Sequence, residues 1–150
     1  MSELTIEGHR IGVLFSETDI AARIAQLAKD IAARKPVRLL VVPVLKGSFV
    51  FAADLIRAMH HAGLSPEVDF MILSSYRSAT RSSGQVDVLR DIESEVKGRD
   101  VLLIDDILES GRTLAFAKDL IAARGASKVF TAVLLNKPGH LAANISADFE

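Results

Sequence analysis

The chain has 150 residues, 49% of them apolar and 25% charged, with a net charge of −1. That length favours one domain, 1–150, and the composition supports a packed core. The charge balance offers no basic field for nucleic acid, and the absence of cysteine excludes disulfides and thiolate metal sites. No apolar run approaches the ~18 residues of a membrane span, and the opening MSELTIEGHRIG lacks the basic-then-apolar order of a secretory leader. The expectation is a cytoplasmic protein with no nucleic-acid or membrane partner.

Ser16-Glu-Thr-Asp19 supplies a hydroxyl or carboxylate cap, and Ile20, Ile24, Leu27, Ala28 and Ile31 then share one face at helical spacing. Lys35-Pro36 ends that helix. Residues 39–45 form a continuous apolar run of strand length, suited to a parallel sheet covered on both faces. Pro43 has no ladder donor to give and predicts irregularity near that strand's end. A helix over 48–61 places Phe51, Leu55 and Met59 on one stripe and stops at Gly63. Residues 68–74 read as a strand, 77–84 (RSATRSSG) as a mobile polar loop, and 85–89 as the strand leaving it. A strand over 100–104, a helix over 113–124 closed by Gly125, and a strand over 128–135 complete the series. Strands alternating with helices predict an α/β fold, with a mostly parallel central sheet and helices on both faces.

The segment VLLIDDILESGRTL, residues 101–114, carries the chemistry. In open α/β sheets ligands bind at the carboxyl ends of the strands, where Asp105 and Asp106 are placed. Glu109 to Thr113 then forms the turn into a helix whose N-terminus offers unpaired N–H groups and partial positive charge. Gly111 permits close backbone approach, and Ser110 and Thr113 add hydroxyls. This is a cradle for a phosphate monoester, while the two acids suit hydroxyls on the same ligand or the water shell of a metal. A sugar phosphate satisfies both ends. On residue types alone, a solvated acidic turn and an ordinary helix cap fit as well. The G-x-x-x-x-G-K-[ST] and G-x-G-x-x-G phosphate loops are absent.

The same segment resembles the phosphoribosyl-pyrophosphate motif of the type I phosphoribosyltransferases: apolar strand, two acids, two apolar residues, an acid, Ser, Gly, any residue, Thr. VLKGS at 44–48 resembles the pyrophosphate loop of the hypoxanthine-guanine branch. Ser74-Ser75-Tyr76 with the polar stretch to Gly84 resembles its mobile catalytic loop, and LLNKP at 134–138 resembles the segment that reads the purine. All occur in family order, from about Phe15 onward.

The resemblance implies the type I phosphoribosyltransferase fold and a Mg²⁺-dependent purine salvage reaction. The 5-phosphoribosyl group would pass from phosphoribosyl pyrophosphate to hypoxanthine or guanine, giving IMP or GMP and pyrophosphate. Asp105 and Asp106 would hold the ribose hydroxyls and, through these or water, the metal. Glu109, Ser110, Gly111, Arg112 and Thr113 would hold the 5′-phosphate. Glu109 stands where the family usually has an aspartate facing N7 of the purine, and would share that proton. Lys137 would donate to O6. Lys46 and Gly47 would meet pyrophosphate through backbone amides, at a loop that in the family carries a non-proline cis peptide, here Leu45–Lys46. Ser75 and Tyr76 would close over the site. The family usually continues past Glu150 into a hood with a stacking aromatic and a further metal-holding aspartate. That region is missing from these residues, which leaves the purine half open. A homo-oligomer, dimer or tetramer, is implied. The alternatives are a non-catalytic regulator sensing phosphoribosyl pyrophosphate or a nucleotide on the same fold, and a xanthine-preferring enzyme.

Overall fold

In a computed structural model, residues 3–6, 9–12, 14–75, 86–108, 111–137 and 145–150 are described. They form, in order, β1 (Glu3–Ile6), β2 (His9–Gly12), α1 (Glu17–Ala33), β3 (Leu40–Leu45), α2 (Phe49–His61), β4 (Glu67–Val68), β5 (Met71–Ser75), β6 (Val86–Arg90), β7 (Asp100–Leu108), α3 (Arg112–Ala123) and β8 (Lys128–Asn136). β1 and β2 pair with each other as an antiparallel hairpin that the sequence reading did not anticipate. The main sheet runs β6-β5-β3-β7-β8, with β4 also on β3; only β6 is antiparallel to its neighbour.

The helix caps follow the sequence closely. Ser16 and Asp19 form a reciprocal box: the Asp19 amide donates to Ser16 Oγ at 3.1 Å and the Ser16 amide to Asp19 Oδ2 at 3.2 Å. Two orphan donors of α1 are thereby satisfied. Ile24, Leu27, Ala28 and Ile31 are buried, while Ile20 is only half-buried and packs at the margin. Gly63 takes φ 95°, a left-handed conformation that ends α2 without steric cost.

Side-chain alternation sorts the central strands onto two cores. Val41 of β3 with Leu102 and Ile104 of β7 face α1 and α2, joined by Leu27, Leu55 and Met59. Leu40, Val42 and Val44 with Val101 and Leu103 face the other way, against Leu114, Ala117 and Ile121 of α3. Both faces of β3 and β7 are therefore apolar, which is why each strand reads as an unbroken hydrophobic run. Removing a buried leucine such as Leu102 forfeits about 2–5 kcal/mol through lost transfer energy and a cavity.

Pro43 sits inside β3 between two neighbouring strands. Val41 pairs with Val68 of β4 and Val44 with Met71 of β5, so Pro43 falls opposite the break between those two short strands. The irregularity it predicts appears on its partner, and the single strand expected over 68–74 is split there. β7 also exceeds its expected end. It continues to Leu108, because Asp105, Ile107 and Leu108 go on pairing with β8. β8 correspondingly extends to Asn136, and α3 starts one residue earlier than expected, at Arg112. The segment 77–84 and Gln85 lie outside the described residues.

Residues 145–150 run along the outer side of β8. The Val133 amide donates to the Phe149 carbonyl at 3.0 Å, and the Thr131 amide to Asp148 Oδ2 at 2.9 Å. The Phe149 ring meets Phe130 edge-on at 6.0 Å, with the Arg34 guanidinium 5.2 Å over it.

Asp69, in the gap between β4 and β5, is buried and charged. Its Oδ1 accepts from the Phe70 amide at 2.7 Å, and its Oδ2 from the Glu93 and Ser94 amides at 2.9 Å each. Burial pushes its pKa up, but the hydrogen bonds from Ser94, Phe70 and Glu93 outweigh this and hold it below the ordinary value of 3.8. The native state therefore binds this proton less well than the unfolded chain. Asp69 contributes fully above the unfolded carboxylate range, and the contribution is lost as pH falls towards the native pKa. Asp69→Ala strands the Glu93 and Ser94 donors and is expected to cost about 1–3 kcal/mol at neutral pH. Urea midpoints across about pH 3–7 should show the gap between variant and wild type narrowing towards acid.

Candidate active site

β3, β7 and β8 are parallel, so their carboxyl ends open on one side of the sheet. Each expected site segment leaves from that side. Residues 45–48 leave β3, Asp105 and Asp106 lie in the last turns of β7, and Lys137 follows β8. The Lys137 amide donates to the Leu108 carbonyl at 2.8 Å, which fixes its backbone beside the end of β7.

Asp105 and Asp106 interlock locally. The Asp106 amide donates to Asp105 Oδ1 and the Ile107 amide to Asp106 Oδ1, both at 2.9 Å. Asp105 is pushed up to about 7, first by burial, then by the hydrogen bond to the Asp106 carboxyl and the repulsion of its charge. The backbone hydrogen bond from Asp106 opposes this shift without cancelling it. Near neutrality Asp105 is therefore only partly ionised. A cation or a set of hydroxyl donors at this spot favours its ionised form.

The phosphate side of the site is built by glycine. Gly111 is buried and takes φ 76°, the left-handed conformation that glycine adopts without strain, and it caps α3 directly. Arg112, Thr113 and Leu114 form the first turn of the helix that follows β7 in the chain, and a helix N-terminus carries unpaired backbone N–H groups. Glu109 and Ser110, the other expected members of this cradle, lie outside the described residues.

The pyrophosphate loop has the expected backbone: the Leu45–Lys46 peptide is cis. Lys46 and Gly47 are exposed and Ser48 is fully buried. Ser48 differs from a simple helix cap. Its hydroxyl makes no bond to the helix and donates instead to the Val44 carbonyl at 2.6 Å, closing the loop on itself. Gly47 lies directly against the Asp106 carboxylate. The structure thus brings Gly47 against Asp106, beside Asp105, while Gly111 opens the helix that follows β7 in the chain and the Lys137 backbone is held at the end of the neighbouring strand. Ser75 ends β5 at the same side of the sheet, and Tyr76 lies outside the described residues. Two neighbours went unread in the sequence. Ile107 and Leu135 pair across β7 and β8 and remain 40% and 39% exposed, an apolar step beside the acids.

Comparison with known proteins agrees with this geometry. The phosphoribosyl transferase domain family matches residues 14–148. The hypoxanthine-guanine phosphoribosyltransferase of Streptococcus mutans is 42% identical over 141 residues, covering 91% of this chain and 75% of its own. The crystal structure of a hypoxanthine phosphoribosyltransferase from Staphylococcus aureus superposes with a TM-score of 0.84 at 34% identity, over 92% of this chain and 74% of that one. That of Trypanosoma cruzi in complex with its product IMP gives 0.83 at 36% identity, over 91% and 76%. The fold and the site define a phosphoribosyltransferase, and the chain belongs to the type I family of these enzymes, in its hypoxanthine-guanine branch.

The raised Asp105 pKa has a consequence for stability. Between the ordinary value of 3.8 and about 7 the native state holds a proton that the unfolded chain has released. Stability is therefore fully present below the unfolded value and is lost as pH rises through the native one. Asp105→Asn removes this penalty. It is expected to raise the stability of the ligand-free protein above pH 7 by on the order of 1–4 kcal/mol and to change little at pH 4. Chemical denaturation at the two pH values measures it. Equal gains at both would show that the burial of Asp105 does not set the slope.

Proposed function

We propose that this chain transfers the 5-phosphoribosyl group of phosphoribosyl pyrophosphate to N9 of hypoxanthine or guanine, forming IMP or GMP and releasing pyrophosphate. One observation carries the reading. An acidic pair near the end of β7 lies against the backbone loop that leaves β3, and a helix N-terminus follows the pair in the chain. A ligand with a sugar in the middle and phosphates at both ends matches that order of charges. Residues 1–150 are read as one such domain, working in the cytoplasm as a homo-oligomer.

The glycosidic C1′–O bond to pyrophosphate breaks with its electron pair leaving on oxygen, and N9 supplies the pair for the new bond. Positive charge grows on the ribose ring in between. Asp105 and Asp106 accept hydrogen bonds from the 2′- and 3′-hydroxyls and place negative potential beside that charge. The amides of residues 111–113, with Ser110 and Thr113, hold the 5′-phosphate against the helix dipole. The Lys46-Gly47 backbone meets the pyrophosphate. Glu109 accepts the proton that the purine sheds, general-base help typically worth about 10²–10⁴-fold. Ser75 and Tyr76 cover the reacting centre against water.

The acid pair also fits Mg²⁺. Asp105 and Asp106 would hold the ion through ribose hydroxyls or water, which suits a metal that keeps its water shell. Mg²⁺ there would neutralise charge on the leaving pyrophosphate. Lys137 donates to O6 of the base. The amino group of adenine would confront that donor with another, and the mismatch excludes it.

The test is a competition among hypoxanthine, guanine, xanthine and adenine, with phosphoribosyl pyrophosphate and Mg²⁺, read by chromatography. IMP and GMP without AMP are expected, and AMP as the main product would overturn the assignment. Lys137→Ala should lower kcat/KM for hypoxanthine about 10–100-fold through loss of a charged hydrogen bond. Unchanged discrimination against adenine in that variant would remove Lys137 from base selection.

A further inference from the structure

Gly47 lies in the pyrophosphate loop, and its backbone does not explain why it is glycine. Left-handed φ angles occur at Gly63, Gly98, Gly111 and Gly125, but not at Gly47. An alanine fits its backbone. What it lacks is room. A Cβ at Gly47 would lie 3.0 Å from Asp106 Oδ2 and 3.5 Å from Asp106 Cγ and Oδ1. All three atoms belong to one carboxylate, and the first distance is inside ordinary van der Waals contact.

The direction of the resulting shift follows from what is pinned. The loop is held at both ends. Ser48 Oγ, fully buried, donates to the Val44 carbonyl at 2.6 Å. The Phe49 amide donates to the Lys46 carbonyl at 3.1 Å, and the Ala52 amide to the Ser48 carbonyl at 2.8 Å. Val44 and Leu45 are paired with Met71 and Ile72 of β5. For the loop to retreat, several of these bonds must break together. The Asp106 backbone is equally fixed, within β7 between residues paired to β8. Its carboxylate accepts from the Ile107 amide at 2.9 Å and is the far end of a side chain, which turns without moving the strand. The carboxylate is therefore the part that gives way, by a few tenths of an ångström.

We propose that Gly47 is a positioning residue for Asp106: by leaving its side-chain volume empty, the pyrophosphate loop sets where the ribose-binding carboxylate stands. Gly47 then serves the sugar end of the ligand as well as the pyrophosphate end, and the two ends of the site are in mechanical contact through this one pair. The inference rests on the proposed function, in which Asp106 receives a ribose hydroxyl.

Inosine 5′-monophosphate separates the two roles of Gly47, because it carries the ribose and lacks the pyrophosphate. Its binding is measured by calorimetry for the wild type, Gly47→Ala, Asp106→Ala and the double variant, beside its 2′,3′-dideoxy analogue. Gly47→Ala should weaken the monophosphate about tenfold and the dideoxy analogue less than about twofold. In the Asp106→Ala background the obstacle is gone, and adding Gly47→Ala should change binding by less than about twofold. Multiplicative losses in the double variant, or wild-type affinity in Gly47→Ala, would overturn the inference while leaving the proposed function intact. Failure of the wild type to bind the monophosphate would instead sink the function, and this inference with it. If Gly47→Ala alone does not fold, a folded double variant supports the steric contact, and an unfolded one refutes it.

Discussion

The parallel pairing of β3 with β7, from Leu40↔Val101 to Pro43↔Ile104, is the contact on which the site depends. Two parallel strands in register run out on the same side of the sheet, so whatever follows each one must share that space. The residues after Pro43 carry a backbone loop, and those after Ile104 carry two carboxylates. Short-range hydrogen bonds tie each segment locally. What anchors both is the apolar packing behind, with Leu40, Val41, Val42, Val101, Leu102, Leu103 and Ile104 all buried between two layers of helix. The site is polar because of its last few residues and rigid because of the seven before them.

That arrangement sets opposing potentials within a short span. The Gly111 turn opens a helix N-terminus, while Asp105 and Asp106 precede it in the same strand end. Without ligand Asp105, chiefly because it is buried, keeps a proton towards neutrality, at a cost in stability that grows with pH. In the proposed function, a ligand with hydroxyls for the acids and an anionic group for the helix N-terminus would offset that cost.

Much of this was legible in the sequence because its signals are local. The Ser16–Asp19 box, the helical stripe through Leu27 and Ile31, and the apolar runs of β3 and β7 each follow from spacing alone. The acidic pair and the Gly111 turn were placed by strand-end logic, and the family resemblance then supplied roles. The failures are tertiary. The length of β7 is decided by β8 pairing past Asp105, which no feature of DDIL announces. The break at Asp69 is set by Pro43, 26 residues earlier in sequence and opposite it in space. Ser48 opens α2, and only the folded chain shows its hydroxyl turned back to the Val44 carbonyl. Gly47 was read only for its backbone amide. Its contact with Asp106 joins positions 59 residues apart, and only the folded chain shows it.

The segment beside β8 bears on solubility. An open sheet has two borders, and each exposes backbone groups that recruit strands from other molecules. On one border β6 carries Asp87 and Arg90, charges that discourage stacking. On the other, Phe149 and Asp148 occupy the Thr131 and Val133 amides of β8, and the Phe130–Phe149–Arg34 cluster anchors them there. The protein guards one border with charge and the other with its own backbone. Loosening Phe149 therefore uncovers those β8 amides to strands of other molecules and at the same time opens the core that it shares with Leu102 and Ile104.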